Sequence, residues 1–296
     1  MSHSEAYFGE TRDAWWNHDY LSLLARRWQL SEAREVLDVG AGIGHWGRAI
    51  SDFLPDGARV VGVEREPRLV AEAAARTPKS PVTFEFVLGT AEALPFPESS
   101  FDLVTCQTLL IHVPDPLHVI REMLRVARPG GLILLAEPNN LAASLSIGCA
   151  LTEQSLGDIV ALFRFQLICE RGKAAVGEGN NSVGELIPGL LAQAGAAAIE
   201  VRQSDKAFAL VPPYESREQQ DRAKEVQTFA EREFWIWHRV DTQRYFLAGG
   251  GSPSDFDGFW SLALRATRET AQGLKTGTFH AAGGATTYLI SGRKPK

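Results

Sequence analysis

Between Glu35 and Pro138 the sequence alternates short apolar runs with stretches of helical periodicity, and this limits the fold more than any other feature of the chain. EVLDVG is an apolar run that ends at glycine. GHWGRAISDFL follows with helical spacing and is closed by the turn signal Pro55-Asp56-Gly57. RVVGVE is the next strand, and Pro67 suits the first turn of a helix running to about Arg76. VTFEFVLG and FDLVTC read as two further strands. LHVIREMLRVA reads as a helix stopped by Pro129-Gly130-Gly131, and LILLAEP as another strand. Strands alternating with helices imply a parallel sheet covered on both faces. Such sheets bind ligands beyond the carboxyl ends of their strands, where strand order reverses.

Outside this stretch the pattern changes. Residues 13 to 29 mix aromatic and apolar residues at near-helical spacing. Residues 141 to 175 read as helical, and Ser182-Val-Gly-Glu185 as a capping box opening a helix that ends near Gly195. AIEVRQSDKAF reads as a strand, residues 214 to 245 as one long charged and aromatic helix, 255 to 272 as another helix, and TTYLISGRK as a closing strand. The expected organisation is an N-terminal helical lid over 1–30 and a sheet core over 31–140. Over 141–296, helical insertions interleaved with the last strands would form a cap.

Composition narrows the partners. A net charge of −6 over 296 residues is the wrong sign for a general phosphate-binding surface, so nucleic acid and anionic membrane are not expected. No uninterrupted apolar run is long enough to span a bilayer. MSHSEAYFGE lacks the basic and apolar segments of a signal peptide. Cys106, Cys149 and Cys169 form no C-x-x-C pair and give neither a disulfide framework nor a zinc signature, so a reducing cytoplasm is expected. No cysteine/histidine cluster suggests a metal.

DVGAGIGHWG, Asp38 to Gly47, holds four glycines where the first strand turns into a helix. Glycines there let backbone approach a ligand closely. Gly42, Gly44 and Gly47 fit a G-x-G-x-x-G dinucleotide turn; Gly40, Gly42 and Gly44 fit G-x-G-x-G. Glu64, ending the second strand, can accept hydrogen bonds from ribose hydroxyls under either spacing. Four stretches separate the two. Asp38 places a carboxylate just before the loop, which a bound amino acid's ammonium group would explain. The others are Gly89-Thr-Ala-Glu-Ala-Leu-Pro-Phe96, FDLVTCQTLLIHVPDP over 101–116, and RVARPGGLILLAEP over 125–138. In this order and spacing, from about Val36 to Asn140, the sequence resembles the class I S-adenosylmethionine-dependent methyltransferases, particularly the small-molecule branch of types 11 and 25.

The resemblance implies a Rossmann-like, seven-stranded, mostly parallel sheet with helices on both faces. It implies that Gly40, Ala41, Gly42 and Gly44, with Asp38, line the amino-acid portion of S-adenosylmethionine, and that Glu64, with Arg65 beside it, binds the ribose. Ala91 and Glu92 would lie beside the adenine. Thr90 stands where many relatives carry an acid; it can accept one hydrogen bond without charge. Gln107 would sit near the methionine portion and the transfer path, and Gly47 would be a helix-packing glycine. S-adenosylhomocysteine would be the product.

Methyl transfer draws mainly on proximity and orientation, and needs a base only where the acceptor must lose a proton. His112 is the candidate base, although the preferred reading of a histidine in L-I-H-V-P-D-P is a backbone contact before the turn. His18 and His238 are further candidates. Tyr7, Trp15 and Trp16 could form a lid or pocket wall, since aromatic faces attract a sulfonium; anchoring of the N-terminal helix competes with this for the tryptophans. Trp235 and Trp237 cannot both face one way on a helix, so one is expected in the core and the other toward a pocket or a partner subunit; with Phe163, Phe165 and His238 they could line an apolar cap suited to an aromatic or indole-like acceptor. The default assembly is a two-fold homodimer. Three other functions compete: a non-catalytic cofactor-binding regulator, a nucleic-acid methyltransferase and a nicotinamide dehydrogenase. Val211-Pro-Pro-Tyr214 falls after the wrong strand for the nucleic-acid reading, and the dehydrogenase leaves the 89–96 and 125–138 motifs unexplained.

Overall fold

The computed structural model describes residues 12, 15–144, 149, 154–205, 207, 209–282 and 286–296. The chain divides into two compact units: a sheet unit of 15–139, 183–205 and 287–296, and a helical unit of 1–14, 140–182 and 206–286.

In the sheet unit the apolar runs form β1 (Glu35–Val39), β2 (Arg59–Glu64), β3 (Thr83–Leu88), β4 (Phe101–Gln107) and β5 (Ala127–Pro138). β6 (Ala197–Gln203) and β9 (Thr287–Arg293) complete a seven-stranded sheet in the order β3-β2-β1-β4-β5-β9-β6. The first five strands run parallel; β9 is antiparallel to both neighbours. A short pair, β7 (Ala209–Leu210) and β8 (Ala281–Ala282), belongs to the helical unit.

Strand alternation sends side chains to two cores. On one face Leu37, Val39, Val61, Val63, Val104, Cys106, Ile133 and Leu135 meet Val119, Ile120 and Met123 of a helix over Pro116–Val126. On the other, Val36, Val60, Leu103, Leu134 and Ala136 meet Trp46 and Ile50 of α2 (His45–Ser51) and the buried stripe of α1 (His18–Trp28), Leu21, Leu24, Ala25 and Trp28. The section of the expected lid that is described, from Trp15 onward, is therefore packed on the sheet. Its apolar stripe recurs every three to four residues and finds the hydrophobic face it needs there.

The order β3-β2-β1 reverses between β1 and β4, so the crevice expected of such a sheet opens between their carboxyl ends. The glycine loop leaves β1 and Gln107 ends β4, so the two flank it.

The helical unit holds helices over Asn140–Ser144, Leu156–Ala175 (α6), Arg217–Glu231, Arg239–Ala248 (α9) and Phe256–Thr276. The single helix expected over 214–245 is a correction: the chain breaks between Glu231 and Arg239. Glu233 takes a left-handed φ of 49°, and the bend turns Phe234 and Trp237 into an aromatic core with Phe165, Phe246 and Phe256. Burying two large rings outweighs the helix preference of the flanking charged residues. The segment after Ser182 is likewise a 3-10 turn, Val183–Leu186, followed by a helix over Ile187–Gln193. The expected capping box there is replaced: Ser182 Oγ donates to Glu170 Oε2, and Asn139 Nδ2 donates to Glu185 Oε2.

Candidate functional site

Gly40, Gly42 and Gly44 have φ of 68°, 55° and 84°, the left-handed region that favours glycine. The loop is also crowded. A Cβ on Gly40 would fall 2.6 Å from Leu109 Cδ1, and one on Gly44 2.9 Å from Phe86 Cζ. Ala41 N donates to Val63 O at 3.0 Å, pinning the loop to the end of β2.

Two buried carboxylates brace it. Glu64 Oε2 accepts from Gly42 N at 3.0 Å, while Oε1 accepts from Arg65 N at 2.8 Å and Glu66 N at 3.0 Å. Asp38 Oδ2 accepts from Gly47 N at 3.1 Å, so Asp38 caps the start of α2 as well as standing beside the loop. A carboxylate has about four acceptor directions, so neither group is exhausted by these bonds. Gln107 is 6% exposed, and its Nε2 has no hydrogen-bond partner among the described residues. A buried amide donor without an acceptor is costly unless a ligand supplies one. Sequence alternation puts Gln107 on the sheet face of Asp38 and Thr105, where Trp46 Nε1 donates to Thr105 Oγ1.

The remaining expected cofactor residues cluster at the same edge. Thr90 pairs with Ala93 in a short bridge; Thr90 and Glu92 are exposed, and Ala91 is buried in the core. His118 Nε2 bonds to Glu92 O at 2.8 Å and Glu122 Oε2 accepts from Leu94 N, which ties this loop to the helix below. The Arg65 side chain is exposed. The positively curled loop, the Glu64 carboxylate and the buried Gln107 donor fit the sugar, amino and carboxylate groups of S-adenosylmethionine.

His112 is half-buried at the end of a 3-10 turn, Leu110–His112. Trp15 is half-buried, and Trp16 packs against Trp46 with ring centroids 4.9 Å apart. Trp16 therefore anchors the chain on the sheet. His18 is exposed, 3.7 Å from Asp52. In the helical unit Trp235 stacks on Phe165 at 4.8 Å, Phe163 is half-buried and His238 is exposed beside Phe234. Phe165 is fully buried and is core in place of the expected cap lining, and of the two tryptophans Trp237 is the fully buried one. Tyr7 lies outside the described residues.

Sequence reasoning passed over Glu137. It is fully buried at the end of β5, and its Oε1 accepts from Leu109 N and Leu110 N, both at 2.8 Å. The available signal was an acid closing the otherwise apolar LILLAEP. Burial pushes its carboxyl up to about 7, against the pull of the Leu110 and Leu109 amides. A carboxyl raised in the folded state stabilises fully below its unfolded value, and this is lost as pH rises through the folded one. Between about pH 4.5 and about 7 this group accounts for roughly 3 kcal/mol. Urea melts across that window should therefore show wild type losing stability relative to Glu137→Gln; a pH-independent difference would refute the assignment.

Among the described residues, no helix is long and apolar enough to cross a membrane, and no group of three His, Cys, Asp or Glu is placed to hold a metal. A family model described as a methyltransferase domain matches residues 37–135. The chain is 33% identical over 138 residues to "Uncharacterized methyltransferase YcgJ" of Bacillus subtilis, covering 46% of this chain and 51% of that one. It is 33% identical over 153 residues to "Ubiquinone biosynthesis O-methyltransferase" of Xanthomonas campestris pv. campestris, covering 47% and 62%. The chain thus spans about half the length of the curated relatives it matches. In fold it is similar to a crystal structure from Bacillus halodurans C-125, with TM-score 0.50, 20% identity, and 94% and 100% of the chains covered. The cyclase SpnF is equally similar, with TM-score 0.50, 20% identity, and 94% and 80% covered. Over residues 37–135 the chain is thus similar to methyltransferase domains.

Proposed function

We propose that this protein transfers a methyl group from S-adenosylmethionine to a small-molecule acceptor. The observation that carries this is the link from Gly42 N to Glu64 Oε2, which joins a glycine loop in left-handed conformation to a buried carboxylate at the strand-order reversal. In this reading Glu64 holds the ribose hydroxyls, Gly40 to Gly44 give backbone access to the amino-acid portion, and Asp38 and Gln107 meet its charged ends. Thr90, Ala91 and Glu92 flank the adenine.

The cofactor, when bound, supplies an electrophilic methyl group on a positively charged sulfur. The chain's part is to hold the two reactants in line and to exclude water. His112 stands on the turn that follows β4 and is the candidate to take a proton from a hydroxyl or ammonium acceptor.

The test is a thermal shift with S-adenosylhomocysteine, S-adenosylmethionine and NAD, each at about a hundred times a typical dissociation constant. Stabilisation of roughly 2.7 kcal/mol by the first two and none by NAD is expected. A shift with NAD alone would overturn the reading. Screening acceptors for S-adenosylhomocysteine release then tests catalysis; tight binding with no turnover on any acceptor would favour a regulatory subunit.

A further inference from the structure

We propose that Glu137 is a positioning residue for the cofactor loop, acting through the turn after β4; this rests on the methyl-transfer reading above. Alternation along the strands places Glu137 on the sheet face of Cys106, opposite Gln107, so it does not face the cofactor-side residues. Its influence travels through backbone. β4 leaves the sheet at Gln107, and Thr108 N still donates to Ala136 O at 2.9 Å. Thr108 then takes a φ of 55°, a left-handed conformation that a β-branched residue adopts only where its surroundings impose it. Glu137 Oε1 supplies the constraint by gathering the next two amides, Leu109 N and Leu110 N, onto one buried oxygen.

That clamp sets Leu109, and Leu109 reaches the glycine loop. The Leu109 side chain lies so close to Gly40 that a Cβ there would meet both of its methyl carbons and Cγ within 3.3 Å. The contact runs from the Glu137 carboxylate to the Leu109 amide, then through the Leu109 side chain to the Gly40 backbone. One buried acid thereby fixes the loop on one side of the crevice and the turn carrying His112 on the other. Burial raises its carboxyl to about 7, which is unfavourable for the charged form. Its place beneath the turn fits a role in geometry. Only one carboxyl oxygen is used: Oε2 has no partner among the described residues, so a carboxamide can do the same work.

The experiment compares wild type, Glu137→Gln, Glu137→Leu and Leu109→Ala by calorimetric titration with S-adenosylhomocysteine and by amide hydrogen exchange over residues 106–112. Glu137→Gln should keep affinity within about threefold, whereas Glu137→Leu and Leu109→Ala should each lose about tenfold or more, the worth of one good hydrogen bond or contact. Exchange at 109 and 110 should quicken in Glu137→Leu and return to the wild-type rate in Glu137→Gln. Should Glu137→Leu fail to fold, Leu109→Ala carries the affinity arm and Glu137→Gln the exchange arm. Wild-type affinity in Leu109→Ala, or a Glu137→Gln variant that loses as much as Leu109→Ala, overturns the proposal. A wild-type protein that binds no S-adenosylhomocysteine overturns the methyl-transfer reading and the cofactor half of this one, while exchange still decides whether the clamp exists.

Discussion

Glu64→Ala is expected to weaken S-adenosylhomocysteine binding by more than a hundredfold and to lower the melting temperature as well. Glu64 is buried, and its two oxygens accept three backbone amides, from Gly42, Arg65 and Glu66. Alanine leaves these donors to find water or to remain unpaired, at about 1–3 kcal/mol for each that stays buried. The Gly42 amide matters most, because of the three it is the one that belongs to the glycine loop, which it draws toward the end of β2. Under the proposed function the same carboxylate also accepts from the ribose. Charge-assisted hydrogen bonds contribute roughly 1.5–3 kcal/mol each, so losing one to the ribose together with the Gly42 bond that shapes the loop gives at least the stated factor. Glu64→Gln is the informative companion. Its single carbonyl oxygen can keep part of the backbone cap, so it should fold close to wild type yet bind weakly. Calorimetric titration beside a thermal melt separates the effects. Wild-type affinity in a folded Glu64→Gln would remove Glu64 from the site.

Much of this arrangement was legible before any coordinates. Strand periodicity located the five parallel strands because each is a short stretch rich in Val, Leu, Ile or Phe bounded by glycine, proline or charge. The glycine loop was legible because its spacing has few structural uses. Glu64 was legible from its place at a strand end, although not that its oxygens hold the loop's own backbone. Glu137 was missed for a reason of chemistry. An acid ending a buried strand reads as an exposed terminus, and only tertiary packing shows it fully enclosed against Leu109 and Leu110. The break after Glu231 was missed because Ala230-Glu-Arg-Glu233 is a helix-forming stretch, and nothing local announces that Phe234 and Trp237 will be buried elsewhere. The same limit applies to Trp235, whose neighbour Phe165 is seventy residues away.

The helical unit depends on a contact that no pattern of apolar residues reveals, and Gly172→Ala is expected to destabilise it by about 3 kcal/mol or more. Gly172 on α6 and Gly249 at the end of α9 bring two helices to backbone contact. A Cβ on Gly172 would fall 1.7 Å from Tyr245 O, and one on Gly249 would fall 2.0 Å from Ile168 O. Ordinary helix pairs keep their axes 8–10 Å apart because side chains separate them. Here the obstructing atoms are main-chain carbonyls, which cannot rotate aside as a side-chain end would. A methyl group must push the helices apart, and Phe165, Cys169 and Phe246 are packed along the same seam. Overpacking a core typically costs 1–3 kcal/mol, and contact with backbone belongs at the upper end or beyond. Gly258→Ala is the matching control. It lies in a helix of the same unit with nothing within 4 Å of the new methyl, so it should be neutral or add up to about 1 kcal/mol. Because Gly172 and Gly249 face one another, their double substitution should cost less than the sum of the two. Denaturant melts of the four variants, with limited proteolysis of α6 and α9, decide it. A Gly172→Ala variant as stable as Gly258→Ala would mean that the two helices are not held at backbone distance.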